Sequence, residues 1–286
     1  MVRRVTPSQL KSQLRQIEQR QRQAVSKYNN AVRRIVDDYN REVRAHNSRV
    51  RANQHRLRNE IAKLNSRPVT VRRQVRYEAS VQVLQSSFAR VETASQRPSW
   101  RASDDLFDLT EGETANSVAV LNALSDSATV SHEVDDAELR ASVIGHELMS
   151  IDPDLHARWG GALYALSPQN PDAARHFCTS SREILTRILD TAAPDAEVLA
   201  ANPTSETTRD GQVTRRARIE HCLRRRGNDE AELVDFVEDD LDDVIALFGE
   251  FNDGTHGSAG RYSLAQLGAL KIRVEHAIQF LHRIVQ

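Results

Sequence analysis

The sequence predicts an all-α protein, a long N-terminal helix or coiled coil followed by a helical bundle. Three observations carry that prediction. Residues 8–64 contain neither Gly nor Pro, and small or apolar residues recur there at heptad spacing. From about residue 104 onward nearly every apolar run keeps the helical period and is punctuated by helix-start and helix-stop residues. Only Val69–Val75 alternates as a strand would, and it reads equally well as an extended entry to the next helix.

The first element has two seams. One runs through Leu10, Leu14, Ile17, Ala24, Tyr28, Ala31 and Ile35. From Val32 a second runs one residue out of phase, through Val36, Tyr39, Val43, Val50, Leu57, Ile61 and Leu64, with His46 and Asn53 in seam positions. The slip follows Asn29-Asn30, two poor helix formers, and predicts a bend or a hairpin, because one unbroken helix would be ~85 Å long at 1.5 Å per residue. Polar seam residues leave a lone helix too little to bury, which favours a dimeric or hairpin coiled coil. Asn65–Pro68 ends the element, so residues 1–66 read as a basic, Arg-rich coiled coil. Residues 76–94 form an amphipathic helix through Tyr77, Val81, Leu84, Phe88 and Val91, and 96–103, with Pro98 and Trp100, reads as a linker. Residues 67–103 are thus a connecting helix and linker, and 104–286 an acidic helical bundle.

Within the bundle, helices are predicted over Glu113–Leu124, Asp135–Met149 and Leu155–Leu166, the last with Trp159 and Tyr164 in the core. Asn170-Pro171 supplies an N-cap and a first-turn proline for a helix to Thr191. A polar loop over 202–214 precedes a basic helix, Arg215–Arg226, ended by Gly227. An acidic helix, Asp229–Phe248, carries Leu233, Phe236, Val237, Leu241, Val244, Ile245 and Phe248 inward, and a closing helix runs from Leu264 to about Val285.

Charge is distributed unevenly. Residues 1–100 hold 22 Lys+Arg against 7 Asp+Glu, whereas residues 101–286 hold 17 against 33, so opposite halves of +15 and −16 hide behind a net charge of −1. Such asymmetry points to a polyanion-binding arm, or to halves that attract each other. Arginine supplies 35 of the 39 basic residues, which suits two-point phosphate contacts. No apolar run reaches the ~20 residues of a membrane helix and the N-terminus lacks a secretion-signal pattern, so the chain reads as cytoplasmic, with no membrane partner. Cys178 and Cys222 are far apart, outside any zinc-ribbon spacing, and read as partly buried thiols.

Phosphate-binding loops, dinucleotide fingerprints and nucleophile elbows are absent. His146-Glu147 lacks the second histidine of a zinc-protease motif, since position 150 is serine. Glu238–Asp243 lacks the ligand spacing of a calcium loop and reads as a solvated helix face. Three features carry more. Arg175-His176 is followed by Arg182-Glu183 on a helix whose other face is apolar. Arg216 precedes His221 by five positions and Arg218 precedes it by three, the latter spacing placing both groups on one helical face. His256 sits in Phe251-Asn252-Asp253-Gly254-Thr255-His256-Gly257, a tight connection that gives a histidine little packing role.

The helix opening Pro171-Asp172-Ala173-Ala174-Arg175-His176-Phe177-Cys178, the acidic helix ending in Asn252-x-x-x-His256, and the closing helix resemble a HEPN-type helical domain, and more closely the predicted pPIWI-associating nuclease family of bacterial conflict systems. The resemblance covers about residues 135–286. It implies an all-α, often dimeric, metal-independent ribonuclease acting in phage defence or toxin systems, with no cofactor, whose catalytic motif is an Arg followed after four to six residues by a His. Asn252 and His256 take the places of the family's Asn-x-x-x-His, and Arg182-Glu183 those of its Arg-Glu pair. Positions 246–251, Ala-Leu-Phe-Gly-Glu-Phe, hold no arginine before His256, while Arg216-x4-His221 satisfies the spacing on another helix. Either that pair is the active motif, or Arg182 and Arg218 reach His256 through the fold, or the domain is a non-catalytic relative. The expected partners are RNA or another nucleic acid, a second copy through the coiled coil, and a defence-system protein.

Overall fold

The computed structural model describes residues 7–65, 75–125, 139–167, 169–253 and 262–286. It is 81% helical with no strand among the described residues, so the protein is all-α as the sequence predicts. Among the described residues ten named helices follow in order: α1 Pro7–Asn65, α2 Val75–Ser95, α3 Asp104–Ser125, α4 Gly145–Ile151, α5 Pro153–Ala165, α6 Ala173–Ala192, α7 Asp195–Ala201, α8 Arg215–Arg225, α9 Ala231–Asp253 and α10 Leu264–Val285. None is long and apolar enough to cross a membrane. The chain divides into two compact units, residues 1–52 and residues 53–286.

The described residues of the first unit are all helix. No hairpin forms at Asn29-Asn30, because α1 is a single helix. Two asparagines cost a helix only about 0.7 kcal/mol each, too little to break a run without Gly or Pro. Its seam residues Tyr28, Val32, Ile35, Val36, Tyr39 and Val43 are all solvent-exposed.

The second unit holds the core. Helices α2, α3, α9 and α10 pack together, and the end of α1 joins them through buried Leu57 and half-buried Ile61 and Leu64. Tyr77, Val81, Leu84, Val91, Phe236, Val244, Leu270 and Ile278 are all but fully buried there. Each such side chain contributes about 1.5–3 kcal/mol relative to exposure. Edge-on rings fix two contacts: Phe236 meets Phe280 at 6.0 Å between α9 and α10, and Trp159 meets Phe177 at 5.5 Å between α5 and α6. Tyr164 does not join Trp159 in the core but is 76% exposed, because five residues turn a helix by about 140°.

Several boundaries differ from the sequence reading for local reasons. The helix expected over Asp135–Met149 is broken: residues 139 and 140 are helical, 141–144 are not, and α4 starts at Gly145. There the Ser142 hydroxyl accepts the Trp159 indole N–H at 2.8 Å, which requires the chain to leave the helix. Helix α6 begins two residues after Pro171, because the Asn170 side chain is used to close the preceding turn, accepting from the Asp172 N–H at 3.0 Å and donating to the Ala165 carbonyl at 2.8 Å. Other boundaries follow their caps. Asp152 caps α5 with Pro153 at its first position, Thr214 caps α8, and Ser263 with Gln266 forms a full capping box on α10. Gly227, at φ +71°, ends α8 in the left-handed conformation that glycine adopts without strain. The stretch 69–74, whose pattern fits a short strand or an extended entry to the next helix, lies outside the described residues, and Val75 already opens α2.

Candidate active site

Helices α6, α8 and α9, with Gln212 and Val213 of the loop before α8, enclose a cavity of about 270 Å³. Its floor is apolar, from Leu185, Leu189, Leu241 and Ile245, and its polar lining includes Arg182, Arg215 and Arg218 against the single carboxylate of Asp190. Ile245 lies here, at the rim, rather than inside the bundle. A pocket with an apolar floor and three guanidinium groups suits an anion attached to a flat, partly apolar body.

The three arginines differ in how they are held. Arg218 has only 12% of its side chain exposed, and its guanidinium is shared among the Ala193 carbonyl, the Asp195 carboxylate and Asp190 at 3.3 Å. It ties the end of α6 to the start of α7. Arg215 pairs with Asp242 of α9 at 2.6 Å, while its Nε is buried without a partner among the described residues. Arg182 has no carboxylate partner among the described residues, and its guanidinium carbon lies 5.7 Å from the centre of the Phe248 ring on α9. Phe248 comes one turn before position 252, where the Asn252-x-x-x-His256 segment begins. His256 and the side chain of Asn252 lie outside the described residues.

The remaining candidates are placed elsewhere. Glu183, next to Arg182 on α6, faces α5 and accepts from Arg158 at 2.9 Å. Arg216 turns away from the cavity and bridges Asp235 at 2.6 Å and Glu238 at 2.7 Å on α9. His221 is half-buried on α8 and lies about 140° around the helix from Arg216, so α8 does not bring these two together. Cys178 and Cys222 are buried and unbridged, and burial raises both thiols, Cys222 to about 11, so neither is a nucleophile. Ser150 and His282 come within 3.0 Å, but the serine proton already goes to the Glu147 carbonyl at 2.8 Å. With its proton engaged there, the serine is not arranged for activation by His282.

A second polar assembly escaped the sequence reading. Arg273 of α10 is fully buried and donates to Glu113 of α3 at 2.7 Å, to Asp240 of α9 at 2.5 Å and to the Ser117 hydroxyl at 2.8 Å, with Asp243 at 3.3 Å. Ser117 in turn donates to Asp243 at 2.6 Å, and the Tyr77 hydroxyl donates to the Ser117 carbonyl at 3.3 Å. Burial raises the carboxyls of Glu113, Asp240 and Asp243 against the pull of Arg273. Three carboxyls facing one guanidinium hold a proton among them more tightly than they would in water. The 238–243 run is therefore not a solvated face throughout: Asp240 and Asp243 are buried while Asp242 is exposed. A signal for this existed, since 240 and 243 share a helical face with Phe236, Val244 and Leu247, where an acid needs a buried cation.

With this geometry in place, comparison with known proteins is informative in one region. Residues 147–281 match the predicted pPIWI-associating nuclease family. The matched stretch takes in α5 to α9 and most of α10, and with them every residue lining the cavity. Nothing among curated proteins or solved structures matches the chain. The nuclease-family region thus contains Arg182, Arg215 and Arg218, while the exposed seam of α1 lies outside it.

Proposed function

We propose that the protein is a metal-independent endoribonuclease of a bacterial anti-phage or toxin-type conflict system, with a HEPN-like domain in its C-terminal half and its phosphate site in the arginine-lined cavity. The observation that carries this reading is Arg182: a guanidinium without a carboxylate partner among the described residues, lining a cavity within the matched region and lying over Phe248, which comes one turn before position 252 on α9. A cation with no carboxylate partner among the described residues, lining a cavity with two further arginines, is suited to an anion.

The chemistry needs three services. A base takes the proton of the ribose 2′-OH as that oxygen attacks phosphorus, an acid protonates the departing 5′-oxygen, and cations stabilise the charge on the pentavalent phosphate. A histidine titrates in the right range for both proton transfers, so His256, or else His221, serves as acid/base. Arg182 holds the phosphate with Arg215 and Arg218 behind it, and Asn252 orients the histidine. Arg216 and Glu183, engaged with Asp235, Glu238 and Arg158, support the helices that carry the site. The basic arm adds contacts along the nucleic-acid backbone.

A second reading, a non-catalytic helical adaptor that assembles with a partner protein, draws on a different observation: Arg216 and Arg218 are each neutralised by two carboxylates, and no arginine precedes His256 on α9. Cleavage of labelled RNA and of single-stranded DNA in EDTA by the purified protein, with Arg182→Ala and His256→Ala alongside, separates the two. RNA cleavage in EDTA that both substitutions abolish supports the ribonuclease. Absence of cleavage with magnesium and without it favours the adaptor, and cleavage that survives both substitutions places the site elsewhere.

A further inference from the structure

Six large apolar residues of α1, exposed among the described side chains, form a pattern that neither nuclease chemistry nor the core explains. Tyr28, Ile35 and Tyr39 expose 70%, 69% and 66% of their surface, and Val32, Val36 and Val43 are also open to solvent. At 100° per residue all six fall within an arc of about 100°, the width of a packing face. They are also symmetric. Ile35 and Val36 flank a midpoint, Val32 and Tyr39 lie equally far to either side of it, and so do Tyr28 and Val43.

We propose that residues 28–43 are the centre of an antiparallel homodimer, with a two-fold axis passing between Ile35 and Val36. It rests on the reading of the arm as a self-associating coil and adds direction, register and axis. A closed two-fold contact requires a surface complementary to itself, and this segment meets that requirement only when the second copy runs the opposite way. Each tyrosine then faces a valine, Tyr28 against Val43 and Tyr39 against Val32, and Ile35 packs on Val36. The Arg33-Arg34 pair of each copy lies alongside Asp37-Asp38 of the other. Asp38 bonds Arg41 of its own helix at 2.9 Å but keeps 63% of its side chain exposed, leaving room for a second cation. In a parallel, in-register dimer, tyrosine would meet tyrosine, Arg33-Arg34 would lie on Arg33-Arg34, and Asp37-Asp38 on Asp37-Asp38. With 13 basic and 4 acidic residues in each copy of residues 1–52, such stacking of like charge is the arrangement the sequence can least support.

The phase slip in the seam has the same origin. A two-fold axis maps the frame through Tyr28 and Ile35 onto the frame through Val43 and Val36, so the two frames belong to two copies meeting at the centre. The geometry also sets a distance: the two copies of Ala52 lie about 50 Å apart along an antiparallel coil, against roughly 10 Å in a parallel one.

The test uses the full-length chain. Tyr28→Cys and Val43→Cys proteins, prepared separately, are mixed and oxidised; Cys178 and Cys222 are buried and do not compete. The expected result is a disulfide between position 28 of one copy and position 43 of the other in the mixture, with neither variant linking to itself. Nitroxides on Ala52→Cys should report the long distance, and Ile35→Lys with Val36→Lys should convert the dimer to a monomer in light scattering while helical content is kept. Linkage of position 28 to position 28, or the short nitroxide distance, would leave a coiled-coil dimer standing and overturn the antiparallel assignment. A monomeric wild-type protein would overturn both, and neither result bears on whether RNA is cut.

Discussion

Arg273 is fully buried, and its charge is met by three carboxyls drawn from two other helices. Removing it strands those buried carboxyls without the guanidinium that meets all three. Arg273→Met should therefore destabilise the fold by about 3–5 kcal/mol, read from chemical denaturation, whereas Ser117→Ala should cost about 1–3 kcal/mol. If Arg273→Met were neutral, the cluster would not hold the core. Arg182 should behave oppositely. With no carboxylate partner to strand among the described residues, Arg182→Ala should leave the melting temperature nearly unchanged while weakening RNA binding about 10- to 100-fold, the value of a charged hydrogen bond of ~1.5–3 kcal/mol. Glu111 of α3 offers a pH test. Its Oε2 is buried without a partner among the described residues, and burial, then Asp108 and Glu92, push the carboxyl from 4.5 up to about 7. The folded state holds this proton more tightly than the unfolded chain does, so the stabilisation is complete below pH 4.5 and is lost as pH rises through 7. Glu111→Gln should match wild type at pH 4 and exceed its stability at pH 8 by on the order of 1 kcal/mol, compared by thermal unfolding.

At the level of the helices, local sequence decided what local energies can decide. The closing helix was read to its observed ends, Leu264 and Val285, because Ser263 and Gln266 cap it reciprocally. Ser263→Ala should cost about 1 kcal/mol in a denaturant titration, and Ser263→Asp should restore most of that. The basic helix ended where Gly227 permits a left-handed turn. Reading failed where a distant partner intervened. Trp159 draws Ser142 out of a helix that periodicity would have continued, and Arg273 draws Asp240 and Asp243 into the core out of a run that looks solvated. Those partners stand 17 to 33 residues away along the chain, beyond any window over which periodicity is read.

For the molecule as a whole, charge is the property with the widest reach. If the arm runs along a nucleic-acid backbone, the RNA-binding constant should fall steeply with salt. Replacing Arg33, Arg34, Arg41 and Arg44 by Gln should then lower the log–log slope by up to about 3, at ~0.7 per single-strand phosphate contact. An unchanged slope would confine RNA to the cavity and leave the arm to assembly alone.

The helical class, the helix-forming character of residues 8–64, the opposed charges of the two halves and the resemblance of the C-terminal half to the predicted nuclease family were all readable from the linear chain, because each depends on residue type and near-neighbour spacing. Which charges are spent inside the fold and which remain for a ligand was decided only when the helices packed. Arg182, Arg216 and Arg218 look alike in sequence. Packing gives Arg216 two acids of α9 and Arg218 the α6–α7 junction, and leaves Arg182 beside Phe248 at the cavity. The physical reason is that a guanidinium's role depends on the carboxylates within a few ångströms of it, and tertiary contact brings those from helices that are remote in sequence.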